Sequence, residues 1–329
     1  MKVLVVGGAG YIGSVTVDQL LQAEHSVTVL DSLVGGHREA VNREAELVVG
    51  DVRDEDSLAR LLASHSFDVV VYYGGYIQVG ESVLNPGRYF ANNVGGCIAL
   101  LNAMAAYGVG RFVFSSSAAV YGEPDSVPLT EEAPLQPVNP YGESKAMVER
   151  MLPWYERQAG IRYASLRYFN AAGATELRGE DHRPETHLIP IVLQAAMGQR
   201  EAVPLYGMDY PTPDGTCIRD YVHVTDLAAA HILALERLES ASGGGSGVYN
   251  LGGGSGFSNR EVIEAARRVS GRPIAVRQEP RRPGDPARLV ASNERAKKEL
   301  GWRPAMTSLE AIIESAWRWH QAHPKGYPS

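Results

Sequence analysis

Cysteine is scarce in this sequence: Cys97 and Cys217 are the only two among 329 residues. Two isolated cysteines build neither a disulfide framework nor a metal-type spacing, and no metal site is expected; they fit a reducing cytoplasm. Long hydrophobic runs are missing as well, since nothing approaches the ~18–20 apolar residues that span a bilayer. The segment Met1–Val6 is apolar but runs straight into glycines, without the length or cleavage site of a signal peptide. Excess positive charge is also absent. The net charge is −7, which leaves a general nucleic-acid or anionic-membrane role without electrostatic support. An anionic small molecule would have to be held by local cations. What is present, 44% hydrophobic and 21% charged residues, is the composition of a globular protein with a packed core.

Short β-branched runs alternate with helical spacing in the first half. Lys2–Val6, Ser26–Leu30, Glu46–Val49, Val69–Tyr72 and Phe112–Ser115 read as buried strands, and Gly13–Gln22 and Asp56–Ser64 as helices between them. That alternation predicts βαβ crossovers and an α/β fold: a doubly wound parallel sheet of the Rossmann type, with a smaller C-terminal α/β region. We divide the chain into a core at 1–168 and a mainly substrate-binding region at 169–329, with some later segments returning to the core. Ala172–Thr186, polar and rich in Gly and charge, reads as an excursion from the sheet. The Gly/Ser-rich Ser242–Gly247 reads as an exposed loop or linker between a helix at Asp226–Leu238 and a strand at Val248–Asn250.

Directly after the first strand stands Gly7-Gly8-Ala9-Gly10-Tyr11-Ile12-Gly13. Glycines there permit a tight turn and a backbone without Cβ atoms where it meets a pyrophosphate, and the following helix offers its N–H groups to the negative charge. A glycine turn alone is weak evidence. Asp31, 18 residues beyond Gly13 at the end of the second strand, adds the acidic group that takes ribose hydroxyls, so a dinucleotide site is expected. An Asp there also repels a 2′-phosphate and favours NAD. Asp51 and Val52, after the third strand, are placed to meet adenine; a simple helix cap is the alternative for Asp51.

Tyr141-Gly142-Glu143-Ser144-Lys145 carries candidate chemistry. Pro140 precedes a helical stretch reaching Gln158, with Met147, Val148, Met151, Leu152 and Tyr155 on one side. Tyr141 and Lys145, four apart, share a helix face. A phenol ionises near ~10, and a nearby ammonium would bring it toward use as a base. Ser117, just past Phe112–Ser115, offers a hydroxyl to a substrate oxygen.

In this order the motifs resemble the extended short-chain dehydrogenase/reductase family, and within it the UDP-hexose 4-epimerases. The likeness runs through Val79-Gly80-Glu81-Ser82, Asn92-Asn93-Val94, Phe114–Gly122, Pro140–Lys145, Arg167–Asn170, His187–Pro190, Arg219–His223, Tyr249–Gly252, Arg281–Asp285 and His323–Pro328. The resemblance implies bound NAD, held by Gly7, Gly10, Tyr11, Ile12, Gly13, Asp31, Asp51, Val52, Asn93, Ser115, Tyr141, Lys145 and Tyr168. It implies Tyr141 as base toward the sugar 4-hydroxyl, Lys145 as its tuner, and Ser117 as a hydrogen-bond partner of the same oxygen. Asn170, His187, Leu188, Tyr206, Arg219, Arg282 and Asp285 would line the UDP-sugar site. Relatives that dehydrate or decarboxylate place acidic residues just after the position of Ser117; here Ala118 and Ala119 stand there, leaving epimerisation. Leu289, four beyond Asp285, stands where enzymes confined to UDP-glucose and UDP-galactose carry Tyr.

The chain departs from the family pattern at Val6, Val15 and Tyr72–Gln78, all expected around the cofactor channel. That clustering predicts a remodelled cofactor pocket. Two alternatives to UDP-glucose/UDP-galactose epimerisation stay open: an epimerase for another UDP sugar, such as an N-acetylhexosamine or uronic acid, or a scaffold that binds a nucleotide without efficient turnover. The resemblance implies a homodimer in which the helix beginning at Tyr141 and the one near Asn92–Tyr107 pair with their symmetry mates in a four-helix bundle, and Ile98, Leu101 and Met104 supply apolar positions for such a face.

Overall fold

A computed structural model describes residues 1–240, 245–282 and 284–328. The first six strands are β1 (Lys2–Val6), β2 (Ser26–Asp31), β3 (Glu46–Val49), β4 (Val69–Tyr72), β5 (Arg111–Ser117) and β6 (Arg162–Tyr168). Seven more follow: β7 (Asn170–Ala172), β8 (Val203–Tyr206), β9 (Ile218–His223), β10 (Gly247–Leu251), β11 (Gly256–Ser258), β12 (Val276–Glu279) and β13 (Arg288–Leu289). Seven of these strands form one sheet in the order β3-β2-β1-β4-β5-β6-β10, and all its neighbours run parallel. The order reverses at β1, so a crevice opens beyond the carboxyl ends of β1 and β4, where doubly wound folds bind ligands.

The helices of the first half explain themselves locally. The first, α1 (Tyr11–Gln22), grows out of the glycine turn. Next comes α2 (Glu55–Ser64), capped by the Asp54 carboxylate on the Ser57 N–H; Asp51 is not that cap. Short α3 (Val79–Leu84) and α4 (Pro86–Tyr89) lead through a π-helical turn at Phe90–Gly95 into α5 (Gly96–Tyr107). The expected helix near Asn92 therefore begins with a wide turn. The long α6 (Pro140–Ala159) starts with Asn139 capping Gly142 and runs on past Pro153. Of its expected inward side chains, Val148 and Leu152 are buried, whereas Met147 is exposed.

Beyond β6 the chain alternates between sheets. Helix α7 (Leu188–Ala196) packs with α9 (Asn259–Ser270) and α11 (Leu309–Ala322) over the smaller sheets. Those sheets pair β9 with β7, β11 and β13, and β8 with β12. The remaining helices are α8 (Val224–Glu239), which lies against α1, and the short α10 (Glu294–Glu299). The predicted strand at Val248–Asn250 is β10, which adds to the edge of the main sheet beside β6. Part of the predicted Ser242–Gly247 linker lies outside the described residues; Ser246 accepts a hydrogen bond from Tyr163 N at 2.9 Å.

Val6, Val15 and Tyr72 are buried in the core, whereas Tyr73, like the following residues 74–78, is only partly buried. Successive residues of a strand point to opposite faces. Tyr72 accordingly joins Val6, Phe112 and Phe114 on one side, and Tyr73 the cluster of Val5, Val71 and Tyr168 on the other. Val15 packs with Tyr11, Val224 and Ala228. Leu101 and Met104 are fully buried against the chain's own sheet and cannot form a partner face; of the three residues expected there, Ile98 alone stays half-buried.

Candidate active site

The glycine turn shows why Gly7 and Gly13 exclude a side chain. Gly7 takes φ +81°, and a Cβ there would meet the Tyr73–Gly74 backbone at 2.9 Å. At Gly13 a Cβ would lie 2.3 Å from the Gly7 carbonyl oxygen. Gly10 stands at the start of α1, whose first turn carries neither a side-chain cap nor an acidic group. Those N–H groups keep their donors for an anion. Ile12 packs inward, and the Tyr11 hydroxyl donates to the Gly173 carbonyl at 2.5 Å, tying the turn to the expected excursion after β7.

Asp31 is buried at the end of β2, where its carboxylate accepts the Ala9 N–H at 2.9 Å and the Leu33 N–H at 2.8 Å. Burial raises its pKa, while these two donors and His37 work the other way. A carboxylate has lone pairs to spare for two ribose hydroxyls. Val52 is buried beside α5, under Gly96. The Asp51 carboxylate holds Arg53 through paired contacts on the surface, and this pairing lowers its pKa.

Across the crevice, β5 and α6 bring together Ser115, Ser117, Tyr141 and Lys145. The Lys145 ammonium donates to the Ser115 carbonyl at 2.7 Å and lies 6.0 Å from the centre of the Tyr141 ring. Burial lowers its pKa to about 8, with Cys97 and Glu149 pulling the other way. Burial also raises the Tyr141 pKa, and the neighbouring Ser117 hydroxyl opposes that rise. Burial outweighs that hydroxyl in the protein alone, and the expected lowering of the phenol rests on Lys145 together with the positive nicotinamide ring. Ser117 also accepts the Ala119 N–H at 3.2 Å. Asn93 accepts from Tyr76 N at 2.8 Å and donates to the Ser144 hydroxyl at 3.0 Å, so it braces the 73–78 loop against α6. Tyr168 is buried beneath, bonded to His231.

Under this floor Arg167 of β6 and Glu149 of α6 form a buried pair at 2.6 Å. Arg167 also reaches the Tyr121 hydroxyl at 2.8 Å, which donates to Asn250 at 2.6 Å. Sequence reasoning missed this network. Glu149 stands four residues after Lys145, a spacing that could have marked it as a second polar group on the same helix face.

The expected substrate residues fall into two places. At the smaller sheets Arg219 pairs with Asp285, and the Arg282 guanidinium sits 3.8 Å above the centre of the Tyr206 ring. A cavity of about 470 Å³ adjoins them, lined by Tyr210, Arg281, Asp285 and the 123–127 loop. Asn170 on β7 donates to the Asp220 carbonyl at 2.9 Å, and Leu188 opens α7. His187 instead bonds to two glutamates. Its Nδ1 lies 2.7 Å from Glu180 and 3.0 Å from Glu185, and His182 completes the group. This cluster was also missed, although Glu180, Asp181, His182, Glu185 and His187 are visible in the sequence as five ligand-type residues in eight, four of which converge.

A glycine cradle at a sheet reversal, facing the half-buried Tyr141 and the buried Lys145 with a serine beside them, defines a dinucleotide-dependent short-chain oxidoreductase type of site. The chain belongs to the NAD dependent epimerase/dehydratase family, whose sequence model matches residues 3–252. It is 52% identical to the UDP-glucose 4-epimerase of Halalkalibacterium halodurans over 329 residues, covering 99% of this chain and 98% of that one. A solved UDP-glucose 4-epimerase structure superposes with TM-score 0.97 at 49% identity over 100% of both chains. The Bifidobacterium longum UDP-glucose 4-epimerase, solved in complex with NAD+ and UDP, gives TM-score 0.94 at 38% identity, covering 99% of this chain and 100% of that one.

Proposed function

We propose that this protein interconverts UDP-glucose and UDP-galactose by inverting C4, with NAD resident in the crevice. The observation that carries the reading is the meeting of Tyr141, Lys145 and Ser117 at the carboxyl end of β5, opposite the glycine turn. The uncapped N-terminus of α1 suits the pyrophosphate and Asp31 the adenosine ribose. Lys145 is within the same pocket for the second ribose.

Bound NAD supplies the acceptor and then the donor of one hydride at C4. The protein handles the proton. Tyr141 takes it from the 4-hydroxyl as the sugar becomes a 4-ketone, and returns it after the ketone presents its other face. Ser117 holds the same oxygen. Lys145, fixed by the Ser115 carbonyl, supplies a positive charge that favours phenolate. Ala118 and Ala119 carry no acid or base, so elimination has no proton relay beside C4. Arg219 and Arg282, with Tyr206, Asn170 and Leu188, would hold the nucleoside diphosphate while the sugar turns. Residues 169–329 thus supply most of the substrate contacts, and 1–168 those to NAD.

The core placement of Tyr72 supports a functional cofactor site over a refilled one. Releasing small molecules from denatured protein tests this: NAD near one per chain is expected, together with conversion of UDP-glucose to UDP-galactose. Protein that binds NAD without converting either sugar would overturn the reading.

A homodimer fits the apolar surface of α6, where Met147 and Trp154 are exposed seven residues apart on one side; Tyr107 at the end of α5 is exposed as well. Light scattering should give twice the chain mass, and Trp154→Glu should shift it to the monomer. Both cysteines are free and buried, which fits the cytoplasm. No described helix is long and apolar enough to cross a membrane.

A further inference from the structure

We propose that Glu180, His182, Glu185 and His187 bind a divalent transition-metal ion, zinc by ligand type, which fastens the loop entering α7. Each residue offers one donor atom, and the four atoms lie within 4.8 Å of one another. His182 Nδ1 is 3.1 Å from Glu180 and 3.8 Å from Glu185; His187 Nδ1 is 2.7 Å and 3.0 Å from the same two carboxylates. Tetrahedral zinc with bonds of ~2.0–2.1 Å holds neighbouring ligands ~3.3–3.4 Å apart. The four His–Glu distances bracket that value, and closing the widest donor pair by about 1.5 Å through side-chain rotation would complete a coordination shell. Two imidazoles with two carboxylates suit zinc and its neighbours better than magnesium or calcium, which take oxygen ligands.

Charge is the second argument. The Glu180 and Glu185 side chains are only 6% and 3% exposed. Among the described residues their ion-pair partners are the two histidines alone; nearby Arg183 is engaged by Asp181. Two carboxylate charges held out of water are costly unless cations meet them. A dication cancels them.

The surroundings are already built. Glu185 accepts the N–H groups of Thr186 and His187, both at 2.8 Å, which orients its carboxylate as an outer shell would. The loop is anchored on its far side by His37 to the Asp181 carbonyl at 2.9 Å and by Asp181 to Tyr327 N at 3.0 Å. A cavity of about 290 Å³, lined by His182, Glu185, His320 and Lys325 among others, gives an ion a way in. His187 directly precedes Leu188, so the ion would set where α7 begins. The competing arrangement is a closed set of ion pairs with both histidines protonated. The two differ in what a metal titration releases, because zinc must displace protons from the imidazoles.

The test uses full-length protein without a histidine tag, stripped with EDTA and titrated with Zn²⁺ against a chromogenic chelator. One equivalent per chain should bind with release of protons into dilute buffer, and the thermal midpoint should rise. Glu185→Gln and His182→Gln should each weaken binding at least tenfold and abolish the thermal shift. His65→Ala, which removes an exposed His/Glu pair elsewhere, should change neither. Far-UV circular dichroism establishes that the variants remain folded. The proposal fails if the unmodified protein takes up no stoichiometric zinc, or if the folded Glu185→Gln and His182→Gln proteins bind as tightly as the parent.

Discussion

The Lys145 ammonium and the Ser115 carbonyl, 2.7 Å apart, tie the helix carrying Tyr141 to the strand carrying Ser117. That bond fixes a buried cation near a half-buried phenol, in a place where each group alone would prefer to be neutral. The site is therefore arranged so that a proton leaving Tyr141 is compensated locally. Tyr141→Phe keeps the ring and its packing but removes the proton carrier. Its kcat should fall by about 10²–10⁴-fold, with circular dichroism and NAD content unchanged. Turnover within a few-fold of the parent would mean that another group is the base.

The buried Glu149–Arg167 pair anchors α6 from below, four residues past Lys145. Removing one partner leaves the other charge buried and unpaired, which costs about 3–5 kcal/mol. Glu149→Ala should therefore lower the urea midpoint sharply. Replacing both residues together by Leu and Met should recover much of the loss. A single variant as stable as the parent would show that water reaches the pair.

Much of this arrangement was legible because it is local. The glycine turn, Asp31 at the end of β2 and the four-residue spacing of Tyr141 and Lys145 each follow from one element and its neighbour. The failures lie where tertiary packing decides. Whether Tyr72 enters a channel or the core depends on the register of β4 against β1 and β5. Leu101 and Met104 look the same on a helix whether they face a partner or their own sheet. The Glu180–His187 cluster sits in a segment without periodicity, so nothing in the pattern announces that its four side chains converge.

A pH effect follows from His231. It is buried, its Nδ1 lies 2.8 Å from the Leu227 carbonyl, and the Tyr168 hydroxyl sits on its other nitrogen. With Nδ1 carrying the proton, Nε2 accepts from Tyr168. Burial lowers its pKa from 6.5 to about 4, against a small opposing contribution from the Leu227 carbonyl. The unfolded chain therefore takes up this proton first as the pH falls. The contribution is intact above pH 6.5 and is lost on descending toward pH 4, of order 3 kcal/mol in all. His231→Gln, which keeps an acceptor and a donor but does not titrate, should flatten the fall in urea midpoint across that window. An unchanged slope would assign the acid sensitivity to other groups.

Leu289 bears on which sugar is accepted. On β13 it pairs in register with Arg219 of β9, and its side chain packs with the group of Ala118, Tyr121, Ala146 and Phe169 behind the Ser117 turn. It thus connects the strand of Arg219 with the apolar group behind Ser117, and we propose that it walls the sugar's 2-position. A Leu occupies less of that wall than a Tyr, leaving room for an N-acetyl group. Pocket changes of this kind are worth about 1–3 kcal/mol, roughly 10–200-fold in kcat/KM. The parent should therefore accept UDP-N-acetylglucosamine alongside UDP-glucose, and Leu289→Tyr should cut kcat/KM for the acetylated sugar by at least tenfold while changing the other less than threefold. A parallel loss on both sugars would indicate damage to the wall as a whole and remove the case for a gate.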